Sequence, residues 1–249
     1  MTKPSSSAQF FDFTGRTVLI VGGSGEIGSG IARAFGDCGA SVHVTGTRPS
    51  PGDYNDGNFG EAVYHQLDLS QSDAMSVFSP GFDSLDVLVC AQGIARYGRK
   101  EFELETFRNV IELNLVSVMA CCLRFHPHLV STKGSILLLS SGAAFKANRA
   151  NPAYSASKGA LRTLTMTLAE AWAAEGLRVN ALAPGYVASK LTDPVRQHPR
   201  RYEESLKSIP LGRWGDADEI GRLAVFLASP LADYVTGQTL LADGGKMLS

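Results

Sequence analysis

The chain has 249 residues with 23 Lys and Arg against 24 Asp and Glu, a formal net charge of −1. That balance gives no electrostatic reason to expect nucleic acid as a partner, and 44% hydrophobic with 19% charged residues excludes a disordered chain. Four cysteines are too few for a disulfide framework and point to a reducing compartment.

The stretch Met1–Ala8 is polar and Ser-rich with no apolar run after it. Residues 1–10 are therefore expected as a loose arm without a signal peptide, and residues 11–249 as a single domain. Thr17–Val21 is a short, wholly apolar strand of the kind buried inside a parallel sheet. Gly25–Phe35 follows as a helix, with Ile27, Ile31 and Phe35 four residues apart. Val42–Thr45, Ala62–Leu67 and Asp86–Ala91 read as strands, and Arg48–Gly60, rich in Pro, Gly, Asn and Asp, reads as loop. Glu103–Phe125 reads as a long helix whose most apolar part is interrupted by Glu112, Asn114 and Arg124. No uninterrupted apolar run nears the roughly 18 residues that span a bilayer, so no membrane partner and a cytoplasmic location are expected. Ser135–Ser140 reads as a strand, Tyr154–Glu175 as a helix and Arg178–Ala183 as a strand. Val187–Pro210, which holds Pro194, Pro199 and Pro210, is a helical insertion or a lid over a site. Asp216–Ala228 is a helix with capping-box spacing between Asp216 and Glu219, and Gln238–Ala242 is a last strand. Repeated β-α-β units with short links predict an α/β fold: one doubly wound, Rossmann-like parallel sheet with helices on both faces.

Gly22, Gly25 and Gly28 stand three apart directly after the first strand. A strand turning sharply into a helix needs such glycines where a pyrophosphate lies against the helix's first N–H groups, although a tight turn without ligand has the same spacing. About 20 residues on, the second strand ends in Thr45-Gly46-Thr47-Arg48 with no carboxylate for a ribose 2′-OH. Thr47 and Arg48 suit a 2′-phosphate instead, so NADP is favoured over NAD; the alternative is that Arg48 is a solvated loop charge. Tyr154 and Lys158 share a helix face one turn apart. An ammonium beside a phenol lowers its pKa from about 10, as a proton-transferring group requires, whereas a bare Tyr-x-x-x-Lys is more often a packed Tyr and a surface Lys. His43, His65, His126, His128 and His198 show no zinc-ligand pattern, and no metal is expected.

These motifs occur with Asn114 among apolar neighbours, Ser140-Ser141 at a strand end, Asn180, Pro184-Gly185 and the run Pro210-Leu211-Gly212-Arg213-Trp214-Gly215. Together they make the chain resemble the short-chain dehydrogenase/reductase family from Phe13-Thr14-Gly15-Arg16 to Asp243-Gly244-Gly245. The resemblance implies Tyr154 as general acid/base and Lys158 as the group that lowers its pKa and holds the nicotinamide ribose. It implies Ser141 as the residue binding the substrate oxygen, and Asn114 as the holder of a relay water. It places the cofactor against Gly22, Ser24, Gly25, Glu26, Ile27 and Gly28, Thr47 and Arg48, Asp68 and Leu69, Ala91, Gln92 and Gly93, and Pro184, Gly185, Val187 and Ser189. It also implies a homotetramer acting on a small carbonyl or alcohol substrate.

Three positions depart from the family pattern: Val21 replaces a Thr, Cys90-Ala91-Gln92-Gly93 replaces Asn-Asn-Ala-Gly, and Glu26 stands where many members have Gly. The first two predict a repacked floor under the cofactor, and Glu26 repels a pyrophosphate unless it points away. The substrate stays open between 3-oxoacyl thioesters and sugars, polyols or cyclic ketones, with Arg96 and Arg149 either recognising an anion or merely solvated. The reading from a different class is a non-catalytic NADP-binding redox sensor or scaffold.

Overall fold

The apolar runs pair as seven parallel strands: β1 (Thr17–Val21), β2 (Ser41–Gly46), β3 (Val63–Gln66), β4 (Val87–Cys90), β5 (Ser135–Leu139), β6 (Arg178–Pro184) and β7 (Thr239–Ala242). Their order is β3-β2-β1-β4-β5-β6-β7, so the chain winds outward from β1 in one direction and from β4 in the other. This is a computed structural model that describes residues 10–54, 58–71 and 73–248; the expected arm falls, Phe10 apart, outside the described residues.

The side chains of β1 divide between two cores, because successive strand residues face opposite ways. Val18 and Ile20 pack with Ile31 and Phe35 of α1 (Glu26–Asp37) and Ile220 and Ala224 of α8 (Ala217–Ala228). Leu19 and Val21 pack on the other face with Cys121, Cys122 and Phe125 of α4 (Ser117–Thr132) and Leu161 and Leu168 of α5 (Pro152–Trp172). The capping box forms as expected: Asp216 accepts from Glu219 N at 2.7 Å, and Glu219 accepts from Asp216 N at 3.0 Å. Helices α1 and α8 meet through glycine. A Cβ on Gly30 would stand 2.4 Å from the Ala217 carbonyl oxygen, and one on Gly221 would stand 2.5 Å from that of Gly30. Gly30→Val is accordingly expected to lower unfolding stability by about 2–3 kcal/mol, read as a shift in urea midpoint; an unshifted midpoint would rule out that close helix contact.

Several boundaries move. A single-turn helix, α2 (Ala74–Val77), buries Ala74 and Met75 where no element was expected. The long helix starts as α3 (Leu104–Ile111), passes through a π-helical turn at Glu112–Val116 and continues as α4 to Thr132, beyond the expected end at Phe125. It runs on because Leu129 still finds buried packing, and it stops where Lys133 turns left-handed with φ 53°. Across Leu104–Thr132 it reaches a mean hydropathy of 1.3 in its most apolar window. By length and composition it is therefore apolar enough to cross a membrane, because a windowed average dilutes the charges that interrupt each short run. In the fold, Val118, Cys121, Cys122, Phe125 and Leu129 all pack into the core. Val187–Pro210 is helical, as α6 (Asp193–Arg196) and α7 (Pro199–Lys207). Within Arg48–Gly60 the described residues hold one 3₁₀ turn, Pro51–Asp53, capped by Ser50.

Candidate active site

Ligands of open parallel sheets bind beyond the carboxyl ends of the strands, where strand order reverses. Here that point lies between β1 and β4. At the end of β1, Gly22 takes φ +76°, and a Cβ there would stand 2.7 Å from Gln92 N. A Cβ on Gly28 would stand 2.5 Å from the Gly22 carbonyl oxygen, so this turn closes only with glycine. Gly25 caps α1 without a side-chain acceptor, leaving the helix's first N–H groups to a ligand. These features fit a pyrophosphate. The Glu26 carboxylate, on the first turn, accepts from Lys190 N at 3.0 Å, so the 187–210 segment claims it.

Under this turn Gln92 is buried and only half satisfied, its Oε1 having no hydrogen-bond partner among the described residues. Gly22 N donates to Thr45 Oγ1 at 3.0 Å, Ala91 N to the Val21 carbonyl at 2.9 Å, and Gln92 Nε2 to Ser117 Oγ at 3.2 Å. Gly93 closes the floor beneath two functional groups: a Cβ there would meet Lys158 Nζ at 3.2 Å and Asn114 Oδ1 at 3.5 Å.

At the end of β2, Thr47 and Arg48 are exposed. The Arg48 guanidinium lies 4.9 Å over the ring of Tyr54, whose hydroxyl accepts from Arg48 N at 3.0 Å. Burial disfavours the Tyr54 phenolate, but hydrogen bonds to Ser24, Tyr64, Arg48 and Thr47 bring its pKa below the ordinary value. The sequence reading passed over Tyr54, since it sits in a loop without a recognisable spacing. Asp68 accepts from Ser70 N at 3.0 Å and, with Leu67, borders a 630 Å³ cavity along the β3 edge, away from Tyr154.

Asn114, Ser141, Tyr154 and Lys158 converge from three elements: the π-helical turn, the loop after β5 and α5. Asn114 is fully buried in the π-helical turn; it accepts from Ile94 N and donates to Ile94 O, both at 2.8 Å, and donates to Ser157 Oγ at 3.1 Å. The widened turn sets this side chain between α5 and the β4 loop. Ser141, just past β5, hydrogen-bonds the Tyr154 phenol. Lys158 lies one turn further along α5, its Nζ 5.7 Å from the Tyr154 ring centre and donating to the Leu139 carbonyl at 2.6 Å. Burial lowers the Lys158 pKa to about 8. Burial raises that of Tyr154, the Ser141 hydrogen bond opposes this, and the Glu101 charge adds to it. The net direction is opposite to the one the Tyr-Lys spacing predicts, because the ammonium faces a backbone carbonyl and the phenol is desolvated.

Glu101 had no signal in the sequence. It is almost fully buried; its carboxylate accepts from Arg96 N at 2.8 Å, Asn151 Nδ2 at 3.1 Å and Tyr154 N at 2.9 Å. It thereby ties the start of α5, and with it Tyr154, to the loop after β4. Beyond β6, Gly185 N donates to the Ala242 carbonyl at 2.9 Å, Val187 pairs with Gly215, and Ser189 N donates to Thr192 Oγ1 at 3.0 Å. Tyr97, after β4, donates to the Leu191 carbonyl at 2.6 Å and joins that loop to the 187–210 segment.

Residues 23–246 match the family model described as enoyl-(acyl carrier protein) reductase. The chain is 37% identical over 243 residues to 2-dehydro-3-deoxy-D-gluconate 5-dehydrogenase of Bacillus subtilis, covering 94% of this chain and 96% of that one. It is 34% identical over 241 residues to the 3-oxoacyl-(acyl-carrier-protein) reductase FabG of Chlamydia pneumoniae, covering 93% and 96%. Among solved structures it superposes with a TM-score of 0.88 and 29% identity on a gluconate 5-dehydrogenase from Burkholderia cenocepacia in complex with NADP and tartrate, covering 98% and 100%.

Proposed function

The chain belongs to the short-chain dehydrogenase/reductase family of oxidoreductases acting on CH–OH and C=O groups, and from that premise we propose that Tyr154, Ser141, Lys158 and Asn114 form its catalytic set, with NADP(H) as cofactor. The observation that carries this reading is Lys158 Nζ and Asn114 Oδ1 meeting over Gly93 beside the glycine cradle, with Lys158 Nζ 5.7 Å from the Tyr154 ring centre. The cofactor supplies or accepts a hydride at the substrate carbon. Ser141 and Tyr154 hold the substrate oxygen between two hydroxyls. In reduction Tyr154 gives its proton to that oxygen, and in oxidation it takes the proton back. Lys158 Nζ and Asn114 Oδ1 line the route by which Tyr154 is reprotonated. The first turn of α1 binds the pyrophosphate, and Thr47 and Arg48 bind the 2′-phosphate. NAD is the secondary cofactor, disfavoured because no carboxylate ends β2.

Arg48→Ala is expected to weaken NADPH binding by about ten-fold or more, as loss of a charge-assisted hydrogen bond does, and to leave NADH binding unchanged. Nucleotide fluorescence titration measures both; equal NADPH affinity in the two proteins would remove Arg48 from the site. A cofactor-absorbance screen over ketones and secondary alcohols tests the activity itself. NADPH binding without turnover on any of them would favour the sensor or scaffold, against which the assembled four-residue set argues. We further assign the protein to the cytoplasm as a homotetramer. Support for the homotetramer is exposed Leu104, Val116, Leu123 and Met166 on α3, the π-helical turn, α4 and α5, and light scattering tests it.

A further inference from the structure

Glu101 and Phe102 share one 3₁₀ turn, Lys100–Phe102, and their burial is inverted: Glu101 is 1% exposed and Phe102 55%. Gly98 and Arg99 precede them with φ 71° and 62°. Two successive left-handed residues reverse the chain, and Arg99 takes this conformation without being glycine. The reversal carries Glu101 inward and leaves Phe102 outside, with the Arg99 guanidinium 4.7 Å from its ring centre. Hiding a carboxylate and exposing the adjacent ring both cost free energy, and the contacts of the carboxylate have to offset them.

Those contacts are N–H donors, and among the described residues no Lys or Arg pairs with Glu101. Oε1 accepts from Arg96 N, on the loop after β4, and from Asn151 Nδ2; Oε2 accepts from Tyr154 N, on the first turn of α5. That N–H is one of the donors a helix start leaves without an internal partner. Asn151 is the N-cap, yet its side chain makes no capping bond; it donates to Glu101 and, at 3.1 Å, to the Arg96 carbonyl. Serine or aspartate at 151 would cap α5 locally without burying a charge, whereas the remote carboxylate adds a link to the loop. The Tyr154 carbonyl is held as well, by Ser157 Oγ at 2.8 Å, and that hydroxyl accepts from Asn114 Nδ2. The loop end of the link carries Tyr97, whose hydroxyl donates to the Leu191 carbonyl of the 187–210 segment.

We propose that Glu101 is a positioning residue for the reaction: its carboxylate locks the first turn of α5 to the loop that carries Tyr97, and so fixes where the Tyr154 hydroxyl stands when substrate enters. The inference rests on the acid/base reading of Tyr154 above and adds a residue that acts through it. Glutamine cannot take its place, because three N–H donors converge on two oxygens and an amide turns one of those oxygens into a donor. Aspartate keeps the charge on a side chain one methylene shorter. The carboxylate is also felt at the phenol: burial raises the Tyr154 pKa most, and the Glu101 charge adds to it. Lys158, with Nζ 5.7 Å from the ring centre, and Tyr97 are the other titratable groups beside that phenol. Removing the Glu101 charge therefore lowers the pKa of Tyr154.

Two measurements test the assignment. The first needs no substrate: ¹³C NMR of protein labelled at tyrosine Cζ, with the Tyr154 signal identified by its loss in Tyr154→Phe, follows that phenol from neutral pH upward. Its titration is expected to begin at lower pH in Glu101→Gln than in wild type and to keep the wild-type onset in Glu101→Asp. The second is turnover of the secondary alcohol that the cofactor-absorbance screen selects. Both variants are expected to lose about ten-fold or more in kcat, as a displaced reacting group does, while KM and NADPH affinity stay near wild type. In Glu101→Gln the rise of oxidation rate with pH moves to lower pH as well. An unmoved Tyr154 titration in Glu101→Gln, wild-type kcat in Glu101→Asp, or losses of kcat matched by equal losses of NADPH affinity in both variants would each overturn the proposal. Should Glu101→Gln not fold, kcat of Glu101→Asp decides alone. Absence of turnover in wild type would instead remove the oxidoreductase reading, and the phenol titration would still report whether Glu101 acts on Tyr154.

Discussion

Tyr154→Phe is expected to lower turnover by about 10²–10⁴-fold in both directions while NADPH binds as in wild type. The substitution keeps the ring that packs at the start of α5 and deletes only the hydroxyl bonded to Ser141. Backbone anchoring survives, because Glu101 accepts from the backbone N–H of residue 154 and not from its side chain. Burial and the Glu101 charge hold the Tyr154 pKa above the ordinary value of 10, so the phenol carries its proton throughout the neutral range. That suits donation to a carbonyl. Oxidation of an alcohol needs the deprotonated form, so its rate is expected to climb with pH across the neutral range while reduction does not. Steady-state rates with separate NADPH titration check this; near-normal turnover in the Phe variant would remove Tyr154 from the chemistry.

Lys158→Met is expected to lower turnover by about 10²-fold or more and, in contrast, to remove a pH-dependent burden on stability. Lys158 is fully enclosed, and burial takes its pKa from 10.5 to about 8. A base whose folded pKa lies below its unfolded value destabilises the fold while it is charged. The cost, about 3 kcal/mol, is fully present below pH 8 and is relieved as pH rises from 8 towards 10.5. Wild type therefore gains stability relative to Lys158→Met across that window. Urea unfolding of both proteins at neutral pH and near pH 10 reads the difference; a constant gap between them would mean that the ammonium is not desolvated as the structure has it. The Leu139 carbonyl loses its donor in the variant at every pH, so that loss does not mimic the pH dependence.

Both variants act on residues that the sequence made visible, and the reasons are local. The 3-residue glycine spacing, the 4-residue Tyr-Lys spacing, strand alternation and the Asp216 capping box are properties of one turn, one helix face or one strand. Each is decided by neighbours in the chain. The long helix shows where that logic stops. The sequence shows it as one helix over Glu103–Phe125 with its apolar residues, but the π-helical turn that aims Asn114 at Ile94 and Ser157 arises only when α5 and the β4 loop close around it.

The sequence by itself determined the order of the strands and of the long helices, the doubly wound class, the glycine turn at Gly22–Gly28 and the choice of Asn114, Ser141, Tyr154 and Lys158 as the proposed catalytic set. Only the tertiary structure decided how those groups are charged and what surrounds them. Glu101 is buried against Tyr154 N from 53 positions away, and Glu26 is taken by Lys190 N. The physical reason is that a pKa and the placement of a side chain depend on desolvation and on charges a few ångströms away in space. Those distances are fixed by how the sheet brings its strand ends together, and no spacing along the chain encodes them.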